Sequence, residues 1–247
     1  MAADNIVFAD MPTCLFIIPV CVPESKHCHT AIHMKCCTSD IGCFITCQKH
    51  HSGGNFIGQM TDEPITAINI LYDGVVSSMN LAALNCAAIA GIMKKANPDV
   101  NMVSAPVIAK ERGVKVSTTN QDQSGAFEGY IKVTVVTPHR ERSIAGTVFS
   151  DGKPRFIQIK GINIDAEIGA HMLYTTNEDV PGIIGTLGQT MGRNGVNIAN
   201  FTLGRAARGG EAIALLYVDE PIPAKVLTEL ATTGLFKQVK PLTFDVN

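Results

Sequence analysis

Between residues 168 and 203 the apolar and polar positions change period twice, and the changes predict a strand, a short helix and a second strand. His171-Met-Leu-Tyr174 supplies β-favouring residues, and the polar run from Thr175 to Asp179 stops them. Pro181 suits the first turn of a helix, where its missing N–H loses nothing, and Asp179 just before it is positioned as a cap. Ile183, Ile184, Leu187 and Met191 recur at helical spacing, and Asn194-Gly195 gives the stop. Val196 to Leu203 then alternates as a half-buried strand does. The same reasoning over 166–247 predicts strands near 168–176, 196–204, 212–218 and 236–244, with helices near 181–194 and 223–232. Pro223 opens the second helix.

Upstream, 64–72 alternates like a strand and Asp73-Gly74 turns it. Residues 80–95 are rich in helix formers, with Leu81, Leu84, Ala88 and Ile92 on one face and Lys94 and Lys95 at the negative end of the dipole. A shorter helix is expected over 103–113, with Ser104 as its cap and Gly113 as its stop. Strand-like runs follow at 114–119, 128–136, 143–150 and 154–160. The expectation is an α+β fold of two modules, 54–165 and 166–247, with no doubly wound parallel sheet.

Residues 1–53 follow neither period. They hold seven of the eight cysteines and five of the seven histidines. A metal site such as Cys43-x-x-x-Cys47-x-x-His50 with His27 or Cys28 lacks the paired Cys-x-x-Cys spacing of zinc sites, so none is expected. A disulfide framework needs an oxidising compartment that no other feature supports. The segment reads instead as an extension, or as sequence outside the reading frame of the rest. Formal charge is −2 with 17% charged residues, which gives no basic surface for nucleic acid. Mean hydropathy is +0.18, yet no apolar run approaches the roughly 18 residues of a membrane span. The longest, Cys14 to Val22, is broken by Pro19 and lacks a basic flank, so a cytoplasmic protein is expected.

Asn177-x-Asp179-x-Pro181-Gly182, followed after one helix by Gly195-Val-Asn197-Ile, resembles the ACT domain, a ferredoxin-like βαββαβ regulatory module. Val100 to Gly113, Ser143-Ile-Ala-Gly-Thr-Val-Phe149 and Gly161-Ile-Asn-Ile-Asp165 resemble the intervening domain of the long form of D-3-phosphoglycerate dehydrogenase, the first enzyme of serine biosynthesis. That domain is described as an allosteric substrate- or anion-binding domain, and it lies between the catalytic portion and the ACT domain. The two motif sets occur in the family's order.

The resemblance implies an NAD-dependent oxidoreductase, but the residues needed for that chemistry are not in this sequence. A dinucleotide cradle needs Gly-x-Gly-x-x-Gly between strand and helix. Gly182-x-x-Gly185-x-x-Gly188 lacks the close pair and falls within the helix predicted over 181–194. His139 and His171 have no matching Arg and Glu arrangement, and each reads as structural. No catalytic residue and no cofactor are therefore assigned to this chain, and it is expected not to turn over substrate alone.

What the resemblance implies is binding. In such enzymes L-serine sits where two ACT domains pair edge to edge, and the matching positions here are Asn177, Asp179 and Asn197, so a homodimer or higher oligomer is expected. Asp179 suits the ligand's ammonium group, Asn177 and Asn197 can meet its carboxylate or hydroxyl, and backbone N–H groups at Gly182 and Ile183 start a helix that favours a carboxylate. Read without the resemblance, Asp179 is equally a helix cap and Asn177 a turn former. Arg140, Arg142, Lys153 and Arg155 are candidates for a second, anion-binding site suited to phosphate, with a solvated charged turn as the commoner reading of such residues. A free-standing ACT-type regulator of another partner is the alternative, and it gives no reason for the intervening-domain motifs.

Overall fold

The computed structural model describes residues 52–122 and 126–244. The first module opens with helix α1 (Ser52–Met60), strand β1 (Ala67–Gly74), a single 3-10 turn (Val75–Ser78), and helices α2 (Leu81–Met93) and α3 (Ala105–Glu111). Strands β2 (Lys115–Gln121), β3 (Gly129–Val136), β4 (Glu141–Val148), β5 (Pro154–Ile159) and β6 (Ile162–Glu167) complete it. They form one six-stranded sheet in the order β2-β1-β3-β4-β5-β6. Only β1 and β2 are parallel, joined by a crossover through α2 and α3, so the sheet is not doubly wound. Strand β6 was not predicted: its six residues alternate buried and exposed, but they directly follow β5 across the tight Lys160-Gly161 turn.

The second module is β7 (His171–Glu178), α4 (Ile183–Arg193), β8 (Ile198–Arg205), β9 (Glu211–Val218), α5 (Ala224–Thr232) and β10 (Phe236–Thr243). Its four-stranded sheet has the order β10-β7-β9-β8, antiparallel throughout, which is the ferredoxin-like βαββαβ arrangement. All six elements lie where the periodicity predicts them.

Both faces of this second sheet are covered. Leu173, Leu216 and Val218 pack under Leu187 and Met191 of α4 and Val226 and Leu230 of α5. On the opposite face Met172, Tyr174, Ile213 and Leu215 join a core that runs on into the first module through Phe56 and Phe156. A strand covered on both sides reads as a continuous apolar run, as β9 does. The stripe expected on α4 loses one member: Ile184 is 57% exposed, because one residue turns it about 100° away from the Ile183, Leu187, Met191 line.

Helix α2 is buried almost all round rather than on one face, since α1 lies against its outer side. Gly54 and Gly58 allow that approach: a Cβ on Gly54 would stand 2.5 Å from the Ala88 carbonyl oxygen, and one on Gly58 would run into that of Ile92. Lys95 does not serve the helix end as expected. Its Nζ donates to the carbonyl of Gln59 at 3.1 Å and pairs with Asp62 at 2.7 Å. Ser104 holds the N-cap position of α3 as expected, but its side chain caps no N–H of the helix; Asn101 Oδ1 accepts from the N–H groups of Val103 (2.9 Å) and Ser104 (3.0 Å), while Ser104 Oγ accepts from Asn101 N–H. The pair forms a reciprocal capping box. No helix among the described residues is long and apolar enough to cross a membrane.

Candidate functional site

The loop from Asn177 to Ile183 connects the end of β7 to the start of α4. Asp179 does not cap the helix. The N-cap is Gly182, at φ +96°, a conformation that L side chains rarely adopt, and no side chain caps the end. Pro181 stands in the turn before the helix rather than in its first turn. The first N–H groups of α4, from Ile183 on, therefore meet no side-chain acceptor and are open to an anion.

Asp179 turns instead toward the β8–β9 hairpin. One carboxylate oxygen, Oδ2, accepts from Arg205 at 2.8 Å and from the Gly209 N–H at 3.1 Å. The Gly209 N–H and then the Arg205 guanidinium hold its carboxyl below the usual carboxylate range. Arg205 and Gly209 were missed by sequence reasoning, because 26 and 30 residues separate them from Asp179 and only strand pairing brings them back.

Asn177 is 2% exposed, so it is no surface ligand in a single chain. Its Nδ2 donates to the Glu178 carbonyl at 2.6 Å, while its buried Oδ1 has no partner. Ile183 turns its side chain into the helix–sheet core and offers only its backbone. Asn197 is exposed, and its Nδ2 donates to Asp219 Oδ2 at 2.6 Å.

These residues do not converge within one chain. Ile198, next to Asn197, pairs with Val218, as does His171 at the start of β7. Glu178, next to Asp179, pairs with Glu211 at the other end of the same ladder. Seven residues of strand separate the two levels, roughly 24 Å at about 3.4 Å per residue. Three exposed apolar side chains belong to the loop, helix start and edge strand of this module: Val180 (44%), Ile184 (57%) and Leu203 (43%). Strand β8 pairs only with β9, so its outer edge carries no ladder partner among the described residues.

The four cations considered as one anion site are divided between the two ends of the β4–β5 hairpin. Lys153 pairs with Glu167 at 2.7 Å. Arg155 pairs with Asp151 at 2.9 Å and Asp165 at 3.3 Å, and lies over the Phe149 ring at 4.7 Å. Arg142 pairs across the sheet with Val135, and Arg155 with Thr147, so Arg142 stands at the far end of β4 from Arg155. Arg140, beyond the strand, approaches Glu63 at 3.7 Å. His139 is exposed beside Glu63, and His171 begins β7. The cysteine and histidine positions considered for a metal, His27 to His50, lie outside the described residues.

Fold and site together define a two-module α+β protein in which an antiparallel-rich layer is joined to a C-terminal ferredoxin-like module. Residues 43–160 match the family model of the D-3-phosphoglycerate dehydrogenase intervening domain, a match that begins ahead of Gly54, where the periodicity becomes regular. The chain is 30% identical over 188 residues to D-3-phosphoglycerate dehydrogenase of Bacillus subtilis, covering 76% of this chain and 36% of that protein. It is 32% identical to the Synechocystis enzyme of the same name (72% of this chain, 32% of the relative) and 28% identical to that of Methanocaldococcus jannaschii (75% and 35%). The chain thus spans about a third of the length of the curated relatives it matches. By these matches the chain is similar to the part of D-3-phosphoglycerate dehydrogenases that carries the intervening domain.

Proposed function

We propose that this chain is the serine-sensing regulatory portion of a D-3-phosphoglycerate dehydrogenase, and that its C-terminal module is an ACT domain binding L-serine between two copies of itself. The observation that carries the reading is the separation of Asp179 from Asn197 along the sheet. In one chain they stand at opposite ends. Two copies paired antiparallel along the free edge of β8 bring the Asn197 end of one to the Asp179 end of the other, and a two-fold axis makes two such sites.

Asp179 is ionised at neutral pH, and only its Oδ2 is engaged by Arg205 and Gly209. Oδ1 is left to accept from the ammonium group. The uncapped start of α4 takes the carboxylate. Asn197 of the second copy supplies the amide for the hydroxyl. Val180, Ile184 and Leu203 provide apolar area for the contact between copies. Control of the family's NAD-dependent oxidation then passes from this seam to catalytic domains, and the chain on its own carries out no turnover. The match to the intervening domain favours this over a free-standing amino-acid-binding regulator.

The test is complementation between variants. Asp179→Ala and Asn197→Ala homodimers should each bind L-serine weakly by calorimetry. Their equimolar mixture, exchanged through mild denaturant, should regain one strong site per heterodimer. If both single variants bind like wild type, or mixing restores nothing, the shared site is wrong. A wild-type dimer that gives no heat with serine keeps the pairing but loses the ligand.

A further inference from the structure

Each of the two sheets ends in two edge strands, and three of these four edges are accounted for. Strand β10 carries Lys237, Lys240 and Pro241, and Gln59 takes up the backbone of Thr243. Strand β6 lies against the face of β8. There the Thr202 hydroxyl donates to the Asp165 carbonyl at 3.1 Å, and a Cβ on Gly204 would stand 2.5 Å from the Asn163 carbonyl oxygen. Strand β8 is the edge assigned above to the contact between copies. That leaves β2.

Among the described residues nothing protects β2. It has no proline, no glycine and no bulge, and its one charge, Lys115, stands at its first position. Six of its seven residues are exposed. Its register with β1 runs unbroken from Lys115 opposite Ala67 to Gln121 opposite Asp73. Two side-chain bonds tie it to its neighbours: Ser117 Oγ donates to Asn69 Oδ1 at 2.6 Å, and Asn85 Nδ2 donates to Thr118 Oγ1 at 2.9 Å. The Lys115 N–H points inward, donating to the Thr66 carbonyl at 3.0 Å. Backbone groups alternate sides along a strand, so those of Val116, Thr118 and Asn120 point outward. They have no ladder partner among the described residues.

We propose that β2 pairs antiparallel with β2 of a second copy, about a two-fold axis at Thr118, and joins the two six-stranded sheets into one. Centring the axis on Thr118 uses the whole strand. Thr118 then faces its own copy and Val116 faces the partner's Asn120, giving about six main-chain hydrogen bonds in all. Ser117 faces the partner's Thr119, polar against polar. Lys115 faces the partner's Gln121, next in the chain to the partner's Asp122, so no like charges are opposed. This self-matching of register and charge selects a second copy as the occupant. The contact is independent of the Asp179 loop and does not require serine.

Sedimentation equilibrium and site-specific cross-linking of the full chain test this. Thr118→Lys sets two ammonium groups together at the axis and leaves the β1–β2 ladder in place. It should weaken self-association at least tenfold with an unchanged far-ultraviolet spectrum. Thr118→Cys, oxidised by air with copper, should form a 118–118 disulfide, because facing residues stand about 5.5 Å apart. It is read as a linked pair of the tryptic peptide 116–132. Val116→Cys should form no 116–116 link, its two copies lying four residues apart along the strands, about 14 Å. Mixed with Asn120→Cys it should cross-link. Leu203→Lys, on the β8 edge, should keep the 118–118 link when combined with Thr118→Cys. A monomeric wild type, absence of the 118–118 peptide, a 116–116 link, or a folded Thr118→Lys that associates like wild type overturns the pairing. So does loss of the link with Leu203→Lys, which would trace the contact to β8. Should Thr118→Lys fail to fold, the cysteine variants decide.

Discussion

The side-chain amide of Gln59 exchanges two hydrogen bonds with the backbone of Thr243, 184 residues away: Nε2 donates to the carbonyl at 2.8 Å, and Oε1 accepts from the N–H at 3.0 Å. Thr243 ends β10, an edge strand, and Gln59 satisfies its backbone as a neighbouring strand would. One turn on, Asp62 accepts from Lys95 of the first module and Lys240 of β10. The end of α1 and the residues after it act as a clamp between the two sheets.

That clamp makes the seam acid-sensitive. Hydrogen bonds from Lys240 and then Lys95 hold the Asp62 carboxyl down from 3.8 to about 2. A folded-state value below the unfolded one adds stability above about pH 3.8, and that stability is lost as pH falls toward 2. The side chain is 59% exposed, so the effect is that of a screened surface network, about 1 kcal/mol or less. Asp62→Asn should melt lower than wild type at pH 7, and the difference should vanish between pH 4 and 2. A difference that stays constant on acidification would remove the clamp from the account.

Two glycines should respond differently to alanine. Gly58→Ala drives a methyl group into the Ile92 carbonyl and forces α1 off α2, an overpacking cost of about 1–3 kcal/mol. Gly113 has open space around it but sits at φ +72°, so Gly113→Ala should cost about 1–2 kcal/mol from backbone strain alone. Urea unfolding of both variants measures this. Of the two, only Gly58→Ala should also alter the near-ultraviolet signal of Tyr174, which packs against Phe56 on α1.

Asn101 rather than Ser104 governs the start of α3. Asn101→Ala removes the acceptor for two N–H groups and should cost about 1 kcal/mol, with Ser104→Ala costing less. Equal melting temperatures for the two variants would contradict the capping assignment.

Single substitutions at the proposed serine site should rank in order. Asp179→Ala removes a charged acceptor, about 1.5–3 kcal/mol or roughly ten- to a hundredfold in affinity. Asn197→Ala loses an exposed neutral partner, about 0.5–1.5 kcal/mol. Arg205→Met leaves the Asp179 carboxylate in place but less firmly held, and its effect should fall below that of Asp179→Ala. Calorimetric titration with L-serine checks the order.

The elements of both modules were legible in the sequence because each depends on neighbours within a few positions. Leu187 and Met191 at helical spacing, the alternation of 64–72 and the Asn194-Gly195 stop all report local backbone preference and one buried face. The motif around Asp179 located the loop for the same reason. Errors arose where two local signals competed. Ser104 holds the N-cap position, but its N–H and that of Val103 are taken by the Asn101 side chain, because the turn ahead of the helix folds Asn101 back over them.

What only the tertiary structure decided is which distant groups meet. The burial of α2 on every side, the pairing of Asp179 with Arg205, and the division of Arg142 from Arg155 follow from sheet order and register. A change of one residue in register turns a side chain to the other face, and nothing in the local pattern records which strand lies alongside. The sequence alone placed Asn177 and Asp179 in the polar run that ends one strand, and Asn197 in a second strand after a single helix. It took the register of β7, β8 and β9 to put Asp179 and Asn197 at opposite ends of one sheet, because α4 must return the chain along the strands before β8 can begin.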